Sequence, residues 1–283
     1  MMDLSRISRN VEVGGEIFPV VDIGEGPAVL MLHGFPDSRF LWRNQVPALV
    51  DAGFRVIAPD LRGFGDAPRP LDIHSYRRPA LVADTLGLLD ALGIDRVRLV
   101  GHDWGASLSW RIAGSYPDRI ERLVVCSVGA HMAPGWGTDE QKKASWYFEF
   151  FCQPGEAEAA IVAEDWKVFR DWCRGQGDQA RYLHDLARPG ALTAGLNWYR
   201  GAFMPPEPGE APWPPLPGWA KVRCPTLGVW GENDPFLLEP QIAGSAPFVD
   251  APWRYERIGE AGHWLMLDQP DRLNRLLVEF LHD

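Results

Sequence analysis

An α/β fold is predicted for this 283-residue chain: a mostly parallel, doubly wound sheet interrupted by an inserted helical cap. Three observations predict it. Short apolar runs alternate with helical patterns as far as residue 130. The alternation then stops across residues 131–218, where helical patterns and prolines replace strands. It resumes over residues 219–283. The expected organisation is a core in two parts, 1–130 and 219–283, with a cap at 131–218 closed by a proline-rich return.

The elements follow in order. Val11–Val13 and Ile17–Ile23 read as two strands joined at Gly14-Gly15, a hairpin signal. Ala28–Leu32 is a continuous apolar run, the mark of a strand buried on both faces. It leads into His33-Gly34-Phe35-Pro36-Asp37-Ser38, where Ser38 can cap a helix carrying Leu41, Trp42, Val46 and Leu49. Phe54–Ala58 is the next strand, and a glycine-rich loop follows it. Tyr76–Leu92 is amphipathic helix. A strand starts at Val97 and runs into Gly101-His102-Asp103-Trp104-Gly105, after which a helix continues to Tyr116. Ile120–Val128 is a further strand.

In the cap, helices are expected at Lys142–Phe151, Ala157–Trp172, Gln179–Leu186 and Leu192–Phe203. Prolines 205, 206, 208, 212, 214, 215 and 217 forbid helix or inner strand in the return. The core resumes with a strand at Thr226–Trp230, a short helix at Gln241–Ala246, a strand at Tyr255–Ile258 and a helix at Pro270–Leu281.

Composition excludes several classes. Apolar residues make up 46% of the chain, enough for a large core. The net charge is -10 and no run of lysine or arginine occurs, so neither nucleic acid nor an anionic membrane is an expected partner. Cys126, Cys152, Cys173 and Cys224 form no C-x-x-C pair and read as idle thiols of a reducing compartment. Met1–Asn10 lacks the apolar stretch of a signal peptide, and no run approaches membrane-spanning length. A cytoplasmic protein is expected. Thirteen tryptophans point toward an aromatic-lined pocket.

The strand–turn–helix at Asp103 carries the chemistry. A G-x-nucleophile-x-G turn places its central residue at a helix N-terminus, exposed at the sheet edge. Here that residue is aspartate. An ionised carboxylate can displace a leaving group from carbon and form an alkyl ester. It is ill suited to attack on an amide or ester carbonyl, because the adduct reverts. A plain helix cap is the alternative reading. Asp234, in Gly231-Glu232-Asn233-Asp234-Pro235, and His263, after Gly262, also follow strand ends. Each alone reads equally well as a turn aspartate and a loop histidine. Together they stand in the chain order nucleophile, acid, histidine, at the edge where open α/β sheets bind ligands.

Gly101-His102-Asp103-Trp104-Gly105, His33-Gly34-Phe35-Pro36, Gly231-Glu232-Asn233-Asp234-Pro235 and Gly262-His263-Trp264 resemble the epoxide-hydrolase branch of the α/β-hydrolase fold. The resemblance covers nearly the whole chain and is weakest in mid-cap. It implies that Tyr147 and Tyr199 in the cap donate to the epoxide oxygen. It implies that the backbone N–H groups of Phe35 and Trp104 form an oxyanion hole, and that Phe35, Pro36, Trp104 and Trp198 line the pocket. The expected substrates are a small apolar or aromatic epoxide and water, with no metal and no organic cofactor. Packing at the cap–core seam is the alternative for both tyrosines, since Leu196, Tyr199 and Phe203 share a helical face.

Haloalkane dehalogenases share the elbow, so a haloalkane or haloacid dehalogenase is the second expectation. Phe35, where many dehalogenases carry asparagine, counts against halide. Trp104 and Ser107, where haloacid enzymes place arginines beside the nucleophile, count against a haloacid. A non-catalytic binding protein on the same fold has no need of the full triad. His33 and His102 are expected to shape loops by hydrogen bonding. His74, His131, His184 and His282 carry no signal.

Overall fold

The computed structural model describes residues 4–206, 208–210 and 216–282. Among the described residues, eight strands form one sheet in the order β1-β2-β4-β3-β5-β6-β7-β8. They are β1 (Ser8–Val13), β2 (Glu16–Ile23), β3 (Ala28–Leu32), β4 (Arg55–Pro59), β5 (Val97–His102), β6 (Ile120–Cys126), β7 (Thr226–Gly231) and β8 (Trp253–Ile258). The pairs β1/β2 and β2/β4 are antiparallel, and every other pair is parallel. Gly14 and Gly15 close the first hairpin at φ 60° and 84°, as a tight two-residue loop requires. The central strands β3 and β5 are almost wholly buried, which is why they read as unbroken apolar runs.

Helices α1 (Gln45–Asp51), α2 (Arg78–Ala91) and α3 (Trp104–Ser115) join the first strands. Helices α4 (Asp139–Ala144), α5 (Tyr147–Phe151), α6 (Glu156–Cys173), α7 (Gln179–Leu186) and α8 (Ala191–Phe203) all fall between β6 and β7. The last are α9 (Glu239–Ala243), α10 (Leu265–Asp268) and α11 (Pro270–His282). None of the helices among the described residues is long and apolar enough to cross a membrane.

Several elements differ from expectation in detail. Ser38 makes no side-chain cap bond, and Arg39–Asn44 is a 3-10 turn ahead of α1. Tyr76 likewise sits in a 3-10 turn, and α2 begins at Arg78. The single helix expected at Lys142–Phe151 is two, because the chain turns at Ser145 and Trp146. The Ala157–Trp172 pattern is broken at Glu164, Asp165 and Trp166, all at positive φ. Pro205, Pro206, Pro208 and Pro217 lie in irregular backbone as expected. Pro212, Pro214 and Pro215, and Met1–Asp3 of the N-terminal stretch, lie outside the described residues. All four cysteines are free, and only Cys152 is not fully buried.

The insert is fastened over the loops that leave the strand ends. The Arg77 guanidinium donates to the Gly201 and Met204 carbonyls at 3.1 and 2.6 Å. Trp198 Nε1 donates to the Arg62 carbonyl at 2.9 Å, and Asn197 Nδ2 to the Leu71 carbonyl at 2.9 Å. Inside the insert, buried Arg200 pairs with Glu158 at 2.7 Å, joining α8 to α6. A buried guanidinium needs such a partner to offset its lost hydration.

The turn between β5 and α3 depends on glycine. A Cβ on Gly101 would lie 2.5 Å from the Gly105 carbonyl oxygen, and one on Gly105 would lie 2.1 Å from that of Leu32. Gly105→Ala is therefore expected to lower stability by ~1–3 kcal/mol or more, since backbone cannot yield as a side chain does. Chemical denaturation checks this, with Gly137→Ala, which meets nothing within 4 Å, as the control.

Candidate active site

Three side chains from separate strand ends meet above the sheet. Asp103 follows β5, Asp234 follows β7 and His263 follows β8. His263 Nδ1 lies 2.8 Å from Asp234 Oδ2. Asp234 Oδ1 in turn accepts the N–H groups of Phe236 and Leu237 at 2.9 and 3.0 Å. The carboxylate is thus fixed by its own loop and presents one oxygen to the imidazole. On the other side of the ring, His263 Nε2 is 3.7 Å from Asp103 Oδ2, beyond a hydrogen bond.

Asp103 sits at φ 52° and ψ -122°, an uncommon conformation for a residue with a side chain. It is the N-cap of α3 in position only, because its carboxylate makes no cap bond. Its Oδ1 instead accepts the Phe35 N–H at 2.8 Å. The Trp104 N–H also bonds the carboxylate. Gly34 permits this approach, since a Cβ there would stand 2.2 Å from Asp103 Oδ1.

Electrostatics bind the three groups together. Burial pushes the Asp103 carboxyl above its ordinary range, opposed by His263 and by the N–H groups of Trp104 and Phe35. For His263, burial pulls the pKa down, but Asp234 and then Asp103 outweigh it, so the net shift is upward. His33 and His102 are fully buried, and burial lowers both, His33 to about 4. His33 Nε2 accepts the Leu61 N–H at 3.0 Å, and His102 Nε2 donates to the His263 carbonyl at 2.9 Å. Both tie loops together as neutral rings.

A cavity of about 330 Å3 opens beside Asp103. Trp104, Phe148, Phe203 and Tyr199 are among its walls. Tyr147 packs one ring behind, its centroid 6.0 Å from that of Tyr199 and 5.3 Å from Trp172. Burial and then the charge of Asp103 raise both tyrosines well above their ordinary pKa, so both hydroxyls keep their protons. Of the four expected pocket residues, Trp104 lines this cavity. Phe35 and Pro36 lie buried beneath it, Phe35 wedged among Tyr199, Phe151 and Trp172. The Trp198 ring is turned away to reach the Arg62 carbonyl.

Sequence reasoning missed two sets of neighbours. Asp37 is buried, and its Oδ2 accepts Trp264 Nε1 at 2.7 Å. Burial raises its pKa to about 7, against the pull of Trp264. In the sequence it reads as an ordinary loop aspartate after Pro36. His131, which carried no signal, lines the cavity with Ser107 and Arg78. The i, i+4 spacing of Asp103 and Ser107 was the available sign of that second cluster.

The alpha/beta hydrolase fold family model matches residues 27–270. Epoxide hydrolase A of Mycobacterium tuberculosis is 31% identical, over 96% of this chain and 96% of its own. Epoxide hydrolase 4 of Homo sapiens is 33% identical, over 96% of this chain and 78% of its own. Among solved structures, an epoxide hydrolase from metagenomes of hot environments superposes with a TM-score of 0.83 at 29% identity, covering 97% of this chain and 98% of that one.

The raised pKa of Asp37 has a consequence for stability. The folded state holds this proton up to about pH 7, whereas an unfolded aspartate releases it near 3.8. Its contribution is thus most favourable below pH 4 and declines as pH rises toward 7. Asp37→Asn removes that dependence. The variant's Tm is expected to exceed that of wild type at pH 8 and to lose the advantage near pH 4, as calorimetry across pH would show.

Proposed function

Because the chain belongs to the epoxide-hydrolase family of the α/β-hydrolase fold, we propose that it opens an epoxide to a vicinal diol through an ester on Asp103. One observation carries the reading. The two oxygens of Asp103 have different surroundings: Oδ1 rests on the Phe35 N–H, while Oδ2 faces His263.

In the first step Asp103 Oδ2 attacks an epoxide carbon. The carbon–oxygen bond of the ring breaks, and the leaving oxygen takes a proton donated by Tyr199 or Tyr147. Their high pKa keeps them protonated until that oxygen becomes basic. The product is a glycol monoester whose carbonyl oxygen is Oδ1, already seated on the Phe35 N–H, with the Trp104 N–H beside the same carboxyl group.

In the second step His263 removes a proton from water, which attacks the ester carbonyl; the adduct collapses by breaking the bond between the acyl carbon and the glycol oxygen, the imidazolium protonates that oxygen as the diol leaves, and the proton left on the Asp103 carboxyl returns to the tyrosinate of the first step. Ester formation itself prepares the base. It removes the charge of Asp103, one of the influences that raise the His263 pKa, so the imidazole becomes free to accept a proton. Asp234 then stabilises the imidazolium. The two N–H groups stabilise the oxyanion, each worth about 3 kcal/mol by the usual cost of removing such a donor. The insert at 131–218 serves as a cap that supplies the tyrosines and excludes water. Neither metal nor organic cofactor takes part.

Dehalogenation is the second reading, favoured by one observation. Trp104 Nε1 is buried and makes no well-formed hydrogen bond, its nearest polar neighbour being the Tyr199 hydroxyl, and such a donor beside the nucleophile could hold a halide. Incubation with a phenyl-substituted epoxide and with a bromoalkane of similar size separates the two. Diol without bromide is expected, whereas bromide without diol would overturn the epoxide reading. Tyr199→Phe is expected to lower kcat for diol formation by about tenfold or more, with a Tm close to wild type. An unchanged kcat would contradict the role given to Tyr199.

A further inference from the structure

The cavity beside Asp103 is apolar over most of its wall, yet it holds a cation that forms no ion pair among the described residues. Arg78, the first residue of α2, lines it together with Ser107 and His131. Burial and then Arg111 push the Arg78 pKa down, and no carboxylate among the described residues stands close enough to raise it. Asp103 lines the same cavity but forms no ion pair with Arg78. The fully buried arginines have partners: Arg39 pairs with Asp60, and Arg200 with Glu158. Arg78 is only half-buried, and among the described residues it forms no ion pair, so it loses part of its hydration without a counter-charge.

The surroundings of Arg78 are built rather than incidental. Ser107 lies one turn beyond Asp103, its N–H bonded to the Asp103 carbonyl at 2.9 Å. Ser107 Oγ is 2.8 Å from His131 Nε2. Burial, Arg78 and Arg111 hold His131 neutral, with a pKa of about 3. Arg111 is one further turn along α3. It donates to the Pro217 carbonyl at 3.0 Å and leaves a buried Nε without a partner. One arginine, a hydroxyl and a neutral imidazole thus line one region of the cavity, with Arg111 adding positive charge behind them, and each of the three can donate a hydrogen bond. The arrangement suits an oxyanion, and a guanidinium fork matches a carboxylate.

We propose that Arg78, with Ser107 and His131, binds an anionic group of the substrate, and that the enzyme selects epoxides carrying a carboxylate roughly 5–6 Å from the ring, the separation of side chains one helical turn apart. The substrate class rests on the epoxide reading above. The apolar walls formed by Trp104, Phe148 and Phe203 take the carbon skeleton between ring and carboxylate.

The test compares para-carboxy styrene oxide with its methyl ester, and benzoate with benzamide as ligands that cannot react. Wild type is expected to favour the acid in kcat/KM by about tenfold or more, the worth of a charge-assisted hydrogen bond. Arg78→Gln is expected to abolish that preference, and Arg78→Lys, which keeps the charge, to retain part of it. Calorimetry is expected to show benzoate binding to wild type and to Arg78→Lys more tightly than benzamide, and to Arg78→Gln no more tightly. A wild-type preference for the ester, or an acid preference that survives in Arg78→Gln, would overturn the proposal. So would equal binding of benzoate and benzamide to wild type, whatever the turnover. If benzoate binds through Arg78 but neither epoxide yields diol, the anion site stands and the epoxide reading falls.

Discussion

Contacts that only glycine permits hold the backbone of Asp103 at positive φ. Gly101 and Gly105 let the turn crowd against the start of α3 and the carbonyl of Leu32, and Gly34 lets the neighbouring loop approach the Asp103 carboxylate. The turn puts the carboxylate within 2.8 Å of the Phe35 N–H and within 3.7 Å of the His263 ring. Every other group at the site is placed relative to this bend. A relaxed helix start would point the side chain at its own N–H groups and away from the cavity.

The buried charges form one coupled set. Asp234 is satisfied by two backbone N–H groups and His263, which leaves it no freedom to turn. His263 gains protons through Asp234 and Asp103, and Asp103 is eased by His263 in return. Such a site can pass charge from one member to another without moving atoms far, because neutralising Asp103 changes His263 at once. The aromatic side chains around it keep water out and so strengthen these interactions. Arg78 lines the same cavity without an ion-pair partner among the described residues.

The elbow and the triad order were legible in the sequence because each rests on local rules. Glycines flank the bend, apolar runs end just before Asp103 and Asp234, and His263 follows a glycine-rich turn. The alternation of strand and helix placed the sheet. Other features answer to tertiary contacts that no window reveals. Ser38 could cap a helix, but its loop turns through a 3-10 segment instead. The breaks at Ser145–Trp146 and at Glu164–Trp166 interrupt patterns that read as continuous helix. Asp37 is buried by Trp264, far along the chain. Arg77 and Arg78 stand side by side in the sequence. Arg77 spends its charge fastening the insert, and Arg78 reaches the cavity, a division that spacing alone does not show. Trp198 matched a pocket position, but its indole N–H turned it toward a core loop.

The central claim is that carbon becomes bonded to Asp103. The direct measurement is intact mass and peptide mapping of His263→Ala after exposure to a phenyl-substituted epoxide. Without the imidazole the ester forms and is not hydrolysed. The account predicts an increase equal to the mass of the epoxide, located on the peptide that carries Asp103 and absent from Asp103→Asn/His263→Ala. No added mass, or a label on any other residue, would contradict it.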